Sequence, residues 1–357
     1  MDSTEKLFME LTEVAGVPGY EAEARAVLRK HLEPVAKIEH DKLGSIIGVK
    51  AGSADFPRIV LAGHMDEVGF MASMITDDGF IRFVPLGGWW NQVMLGQRIV
   101  IKTSKGDVPG LIGAKPPHLM EADEAKKLVE KKDMYIDIGA TSGDQVRQSG
   151  VRLGDPVIPI CPFTVLAPGK TYMAKAWDDR LGCALIVQVF QRLAKADHPN
   201  TLYGIGTVQE EVGTRGAKTS VHNINPDVAI ILEVDIAGDV PGIKPEESAI
   251  KLGKGPSLLL YDAGMIPNLR LRDLVISLAE KAKIPLQFSS MRGGATDGRM
   301  IHVHNEGVPT VVLGVPTRHI HCHAGIIHRD DYDHALELLV QLVKHLDKRT
   351  VEGLTDR

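Results

Sequence analysis

The chain has 357 residues and a net charge of −5, and 44% of its residues are hydrophobic while only 5% are aromatic. This length allows a large hydrophobic core and favours two domains. The sequence has no basic cluster and no apolar run of roughly 18 residues, so we expect neither nucleic acid nor a membrane as a partner.

The N-terminus and the cysteines bear on the compartment in which the protein works. Met1–Leu11 is charged and amphipathic, without the apolar core of a signal peptide. Cys161, Cys183 and Cys322 stand at unrelated spacings that fit neither a disulfide framework nor a zinc ribbon. We therefore expect a soluble, reduced, cytoplasmic protein.

The first part of the chain is predicted to form two helices and two strands. Helical periodicity covers Thr4–Ala15 and Glu21–Leu32, which a Gly-Val-Pro-Gly turn separates. Ser45–Lys50 and Arg58–Ala62 have the pattern of short strands.

The sequence pattern changes in residues 70–165. Short alternating runs lie between glycine-rich turns, and one helix is predicted around Glu121–Lys131. The pattern is typical of a small β-barrel or sandwich. We expect the adjacent Trp89 and Trp90 to serve core or interface packing rather than ligand binding.

Strands and helices alternate again after Lys170, which predicts an α/β doubly wound sheet, mixed in strand direction. The predicted strands are Tyr172–Ala176, Thr201–Val208, Asp227–Val234, Ser257–Leu260, Leu286–Ser290 and Thr310–Gly314. The predicted helices are Asp179–Ala194, Ala217–His222, Leu269–Lys283 and Arg329–Arg349. Residues 1–69 and 166–357 would form a discontinuous catalytic domain, and 70–165 a β-rich domain inserted into it.

Two adjacent glutamates, Glu210 and Glu211, follow the predicted strand Thr201–Val208. Ligands bind at the carboxyl ends of strands in open parallel sheets. Neighbouring residues of an extended chain point to opposite sides, so the two carboxylates would have different tasks. One would bind a metal ion and the other would activate water. The alternative is a solvated acidic turn.

Further acidic residues and histidines follow other predicted strands: His64, Asp66, Asp178, Glu233, His319, His321 and His323. Two histidines with three carboxylates suit zinc or cobalt, and one shared carboxylate would allow a site for two ions. Asp66, two residues after His64, would orient that histidine or the water.

Six motifs resemble the family of co-catalytic zinc or cobalt aminopeptidases that includes the tetrahedral, deblocking and glutamyl aminopeptidases, and whose bacterial members also carry an endoglucanase label. These motifs keep their order along nearly the whole chain. They are Ala62–Phe70 (AGHMDEVGF), Ala176–Cys183 (AWDDRLGC), Val208–Gly213 (VQEEVG), Glu233–Asp239 (EVDIAGD), Gly293–Asp297 (GGATD) and Pro316–His321 (PTRHIH).

The resemblance implies a role for each site residue. One metal ion would be held by His64 and Glu233, the other by Glu211 and His321, and Asp178 would bridge them. Glu210 would be the general base and Asp66 an assisting carboxylate. The resemblance also implies that the insertion makes dimer contacts and that dimers assemble into twelve-subunit particles.

Two residues depart from the family pattern, and the choice of one histidine ligand is open. Glu233 stands where relatives usually have Asp, and Asp179 where they often have Asn. The family has a cis peptide bond after the bridging aspartate. His319, His321 and His323 compete as ligand, and the motif alignment favours His321.

We expect a metal-dependent aminopeptidase that acts on peptides with a free N-terminus. An amide deacylase on the same site is the nearest alternative. An endoglucanase is less favoured, because a glycosidase needs two carboxylates flanking the bond and a sugar cleft rich in aromatics. A binding protein with structural metals is the non-enzymatic alternative.

The sequence leaves open which N-terminal side chain of the substrate is preferred and whether the metal is zinc or cobalt. A preference for acidic side chains would need a basic residue such as Arg215, Arg292 or Arg318.

Overall fold

A computed structural model of the chain describes residues 1–291 and 293–355. It contains an 11-stranded mixed sheet and a closed barrel of six antiparallel strands. This architecture confirms the predicted α/β doubly wound sheet with a small β-barrel. Among the described helices, none has the length and apolarity that crossing a bilayer requires.

The first segment supplies two helices and one end of the large sheet. Helix α1 begins with a capping box in which the Asp2 side chain accepts the Glu5 amide and the Glu5 side chain accepts the Asp2 amide. The elements are α1 (Ser3–Glu13), α2 (Ala22–Leu32), β1 (Lys37–His40), β2 (Ile46–Lys50) and β3 (Arg58–His64).

The barrel follows directly after β3. Its strands pair in the order β4-β5-β8-β7-β6-β9 around a core that includes Phe70, Trp89 and Ile136. The elements are β4 (Gly69–Ile75), β5 (Ile81–Leu86), β6 (Arg98–Thr103), β7 (Gly106–Gly113), β8 (Tyr135–Asp137), α3 (Gly143–Gln148) and β9 (Pro156–Pro159).

The predicted helix Glu121–Lys131 is wrong. Residues 122–126 form turns, and a short 3-10 helix covers Lys131–Asp133. Leu128 is exposed, and only Val129 packs partly against the barrel core. A helix this short is marginal unless it buries an apolar face, and this run of mostly charged residues has none to bury.

The rest of the chain completes the large sheet and its covering helices. The elements are β10 (Thr164–Val165), β11 (Thr171–Ala174), α4 (Trp177–Leu193), β12 (Thr201–Thr207), α5 (Arg215–Ile224), β13 (Val228–Ile236), β14 (Ser257–Tyr261), α6 (Leu269–Ala282), β15 (Gln287–Ser290), α7 (Gly298–Ile301), β16 (Thr310–Arg318), β17 (Gly325–His328), α8 (Arg329–His345) and α9 (Lys348–Glu352). The short elements β1, β10, β17 and α7 are absent from the sequence prediction, because such brief segments carry little periodicity.

Both faces of the large sheet are covered. Ile59 and Leu61 of β3 point into a core shared with α1, α2, α4, α6 and α8. The alternate residues Val60 and Ala62 point into a second core with α5 and α7. A strand buried on both faces reads as a continuous apolar run, which is why β3 and β13 could be predicted from sequence.

The four central strands β12, β3, β13 and β16 run parallel. Their carboxyl ends therefore meet at one edge, with Thr207 of β12 paired to His64 of β3. Below this edge a buried ion pair joins the Lys175 Nζ to the Glu67 carboxylate at 2.6 Å. It ties the segment just after His64, the last residue of β3, to the segment just before α4, whose second residue is Asp178.

Candidate metal centre

His64 ends β3 with its imidazole buried. Its Nδ1 lies 2.9 Å from the main-chain carbonyl of Asp66, and donation to that oxygen directs Nε2 toward Asp178 Oδ1 at 3.0 Å. Burial alone would lower the pKa of His64, but the hydrogen bond with Asp178 and the negative charges of Glu233 and Glu210 raise it well above its usual value. The Nε2 atom of His64 is therefore surrounded by carboxylates.

Asp178 lies between two histidines at the start of α4. Its Oδ1 is 3.0 Å from His64 Nε2, and its Oδ2 is 3.3 Å from His321 Nε2. Burial opposes ionisation, but the hydrogen bonds with the two imidazoles outweigh it, and the pKa of Asp178 falls below its usual value. One carboxylate thus presents one oxygen to each imidazole.

Asp179 follows Asp178 across a cis peptide bond between the two aspartates. Its side chain is fully buried and accepts hydrogen bonds from the His64 and Gly182 amides at 3.1 and 2.9 Å. A Cβ on Gly182 would lie 2.2 Å from Asp179 Oδ2, so this close approach requires glycine. Asp179 therefore holds the backbone of His64.

The turn that carries Glu210 and Glu211 is held through its backbone amides. The Asp66 carboxylate accepts both of them, Oδ1 from Glu210 and Oδ2 from Glu211, each at 3.0 Å. Glu21 Oε1 accepts the preceding amide of Gln209 at 3.1 Å. The Asp66 carboxylate thus positions the two glutamates, while only its main-chain oxygen bonds the His64 ring.

The two glutamate side chains approach different histidines. Glu210 Oε2 is 4.0 Å from His64 Nε2, and Glu211 Oε1 is 3.4 Å from His321 Nε2. Burial raises the pKa of Glu210 well above its usual value, and burial together with the charge of Asp178 raises that of Glu211 to about 8. The two neighbours therefore have distinct surroundings within one site.

Glu233 and His321 complete the set of predicted residues. Glu233 Oε2 lies 3.9 Å from His64 Nε2, and burial raises the pKa of its carboxyl. Of the three histidines in the loop after β16, His321 faces Asp178 and Glu211. His319 is exposed, and His323 is buried against Trp89 with 5.0 Å between ring centroids.

The donor atoms fit a divalent cation bound by nitrogen and oxygen. Two groups of side chains have potential ligand atoms within 4.8 Å of one another: His64, Asp178 and Glu211, and His64, Asp179 and Glu233. Glu211 Oε1 is buried without a hydrogen-bond partner in the described chain, although it faces His321 Nε2. So many buried carboxylates repel one another unless cations or protons neutralise them, and the raised pKa values of the glutamates express this cost.

Two residues of the site escaped the sequence prediction. Asp297 accepts the Thr207 hydroxyl at 2.5 Å, burial raises its pKa to about 6, and its charge raises the pKa of Glu210. Its motif, Gly293–Asp297, is one of the six that resemble the family, but the sequence analysis assigns no role to Asp297. Glu21 was predicted only as the first residue of a helix, and nothing in its local sequence reveals its contact with Gln209, 188 residues away.

A cleft of about 570 Å³ opens beside these groups. Its lining also includes the apolar residues Ile236, Leu259, Met291, Val312 and Ile320.

Of the three arginines proposed for substrate selection, the two that the structure describes do not line this cleft. Arg318 pairs with Asp239 at 2.6 Å, Arg215 bonds Gln209, and neither lines the cleft. Arg292 lies outside the described residues. The exposed Arg299, which the sequence analysis had not considered, does line it.

Comparison with known proteins gives consistent matches. The family described as M42 glutamyl aminopeptidase matches residues 44–338. "Putative aminopeptidase FrvX" of Escherichia coli is 42% identical over 94% of this chain and 93% of its own. The glutamyl aminopeptidase of Lactococcus lactis is 35% identical over 96% of each chain, and the lysyl aminopeptidase of Pyrococcus furiosus is 33% identical over 96% and 97%.

Solved structures agree with the fold. The TET aminopeptidase of the archaeon Thaumarchaeota archaeon SCGC AB-539-E09 has a TM-score of 0.97 and 50% identity over 99% of both chains. The Pyrococcus horikoshii TET1 peptidase, which can assemble into a tetrahedron or a large octahedral shell, has a TM-score of 0.87 and 30% identity over 96% of this chain and 100% of its own. A Thermotoga maritima protein described as an endoglucanase has a TM-score of 0.79 and 28% identity over 97% and 99%.

The fold and these relatives define an aminopeptidase of the metallopeptidase class. Within that class, the chain belongs to the M42 glutamyl aminopeptidase family.

Proposed function

We propose that the chain removes N-terminal residues from peptides with the help of two divalent metal ions, zinc or cobalt. The observation that carries this proposal is the meeting of two imidazoles and several buried carboxylates at the carboxyl edge of the sheet, beside a 570 Å³ cleft. Ligand sites of open α/β sheets lie at this edge.

His64, Asp178, Glu211, Glu233 and His321 are the residues that we propose as ligands. Asp178 suits a bridging role because each of its oxygens faces a different histidine. Asp179 is a further candidate beside Glu233, since it groups with Glu233 and His64. When bound, such ions polarise the scissile carbonyl and lower the pKa of water, which is the chemistry that amide hydrolysis needs.

Glu210 is the residue that we propose as general base. Its carboxylate would take a proton from water and pass it to the leaving amine, a role suited to a carboxyl whose pKa burial raises above its usual value. Asp66 would act indirectly, because its two oxygens fix the amides of Glu210 and Glu211 and so aim both side chains.

A panel of small substrates, assayed together with the metal content, tests this function. Aminoacyl-p-nitroanilides with a free amino group should be cleaved, while their N-acetylated forms and a soluble glucan should not. We expect two ions per subunit by elemental analysis. Release of acetate from the N-acetylated forms, without release of p-nitroaniline, would favour the deacylase, and cleavage of the glucan alone would favour the endoglucanase.

We further propose that the protein assembles through its barrel into a particle of twelve subunits. Several apolar side chains on the outside of the barrel are exposed in the single chain. The exposed fraction is 63% for Trp90, 71% for Leu119 and 65% for Leu128. Light scattering at micromolar concentration should give the mass of twelve 38.8 kDa subunits. Trp90→Glu should shift that mass downward, whereas a wild-type monomer would refute the proposal.

A further inference from the structure

The inserted barrel reaches into the metal centre through the three residues that follow β5. This segment, Gly87–Trp89, is called the barrel loop below. His321 Nδ1 lies 2.7 Å from the main-chain oxygen of Gly88, close enough for the ring to donate a hydrogen bond to it. Gly88 also lines the cleft. A carbonyl from the insertion therefore contacts a histidine that lies 233 residues further along the chain.

This contact decides which ring nitrogen of His321 faces the other candidate ligands. A neutral imidazole donates through one nitrogen and offers the lone pair of the other. Because Nδ1 is committed to Gly88, Nε2 points to Asp178 Oδ2 at 3.3 Å and Glu211 Oε1 at 3.4 Å. Hydrogen bonds of this kind fix the ring orientation and tautomer of metal-binding histidines.

The barrel loop packs tightly against the site, so that an added side chain there would press on its neighbours. A Cβ on Gly88 would lie 3.0 Å from His321 Nδ1 and 3.3 Å from Cε1. Gly87 adopts a φ of +87°, which favours glycine, and a Cβ there would lie 3.0 Å from Glu211 Oε2. Backbone thus lies directly against the side chains of both His321 and Glu211.

Trp89 fixes the barrel loop to the barrel core. Its ring stacks on Phe70 with centroids 4.7 Å apart, and its Nε1 donates to the Gly69 carbonyl at 3.0 Å. His321 itself lies in the loop between β16 and β17, with a φ of +53°. Its ring is therefore contacted by a segment outside its own loop, and that segment packs on the barrel core.

We propose that the barrel loop is a positioning segment for His321, which makes the inserted barrel a structural part of the metal centre as well as a candidate interface. The inference rests on the proposed function, because it takes His321 as a metal ligand. It assigns the Gly88 carbonyl, held in place by Trp89, the task of presenting Nε2 to a cation.

Gly88→Ala tests this inference, because the added methyl group would displace the His321 ring. We expect the dissociation constant of one of two bound zinc ions to rise about 10- to 100-fold, with the other unchanged. Titration calorimetry of the full-length, metal-stripped protein with zinc measures both. Gly353→Ala is the matched control: Gly353 is exposed, remote from the cleft and at a φ of −74° that alanine adopts readily.

A second variant guards against misfolding. Trp89→Phe keeps an aromatic ring beside Phe70 but loses the hydrogen bond to the Gly69 carbonyl and part of the buried indole, so it should weaken binding of the same ion by a smaller factor. Thermal unfolding verifies that each variant is folded. Wild-type affinity for both ions in a folded Gly88→Ala and in Trp89→Phe overturns the inference.

The crystal structure of metal-stripped Gly88→Ala separates this inference from the proposed function. We expect the His321 ring to be rotated or shifted from its 2.7 Å contact with the Gly88 carbonyl. An unchanged ring position overturns the inference whether or not the wild type binds two ions. A wild type that binds fewer than two ions refutes the two-metal proposal alone.

Discussion

Chelation of divalent cations should abolish peptide hydrolysis by this protein, and zinc or cobalt should restore it. This result is expected because His64, Asp178 and Glu211 offer metal ligands beside the cleft, and the described residues that line the cleft include no serine or cysteine. Activation of water by bound metal accounts for a large part of the rate in two-metal hydrolases. Activity against an aminoacyl-p-nitroanilide should be followed during stripping and reloading, with elemental analysis at each stage.

The stripped protein must also be shown to stay folded, by circular dichroism before and after reloading. We expect its melting temperature to fall, because a ligand that binds only the folded state stabilises that state. Undiminished turnover by protein that elemental analysis shows to be metal-free would refute the two-metal proposal.

Glu210→Gln should lower kcat by about 10²- to 10⁴-fold, the usual contribution of general-base catalysis. The substitution preserves the size of the side chain and removes only its ability to take a proton. KM should change little, because the lost interaction belongs mainly to the transition state. Both ions should stay bound, since Glu210 is not among the proposed ligands.

Glu211→Ala tests the role of the adjacent glutamate as a metal ligand. It should lose one ion, because Glu211 Oε1 faces His321 Nε2 at 3.4 Å and few other donors remain on that side. Metal content and turnover of both variants should be measured side by side. If Glu210→Gln loses metal while Glu211→Ala keeps two ions and activity, the two roles must be exchanged. If both keep full turnover, the pair is a solvated acidic turn.

Much of the site could be predicted from sequence because parallel strands bring their carboxyl ends to one edge. His64, Asp178, Glu211 and Glu233 all follow or end buried apolar runs, and the structure brings them within a few ångströms of one another. Glu210 and Glu211 do approach different histidines, but they lie in a turn after β12 and after the positive φ of Gln209, so the alternation of an extended strand is not the cause. The inference for the other residues needs only the topology of an open sheet.

Other contacts could not be predicted, because they depend on tertiary packing between distant segments. The Asp66 carboxylate binds two backbone amides, which leave no trace in the sequence. The contact between Gly88 and His321 joins the barrel to a loop of the other unit. The segment Glu121–Lys131 has a composition that favours a helix, but no helix forms there because the segment has no surface to pack against.

The chain has three tryptophans, and their positions give it a built-in optical probe. Trp177 is buried immediately before Asp178, and Trp89 is buried beside the loop that carries His321. Trp90 is exposed on the barrel surface. Indole emission responds to polarity and to nearby charge, so the buried pair should report ion binding while Trp90 should report burial on association. Trp90→Phe would therefore leave only the buried pair, whose fluorescence follows metal loading, and a Trp89→Phe, Trp177→Phe double variant would leave only Trp90, whose fluorescence follows assembly.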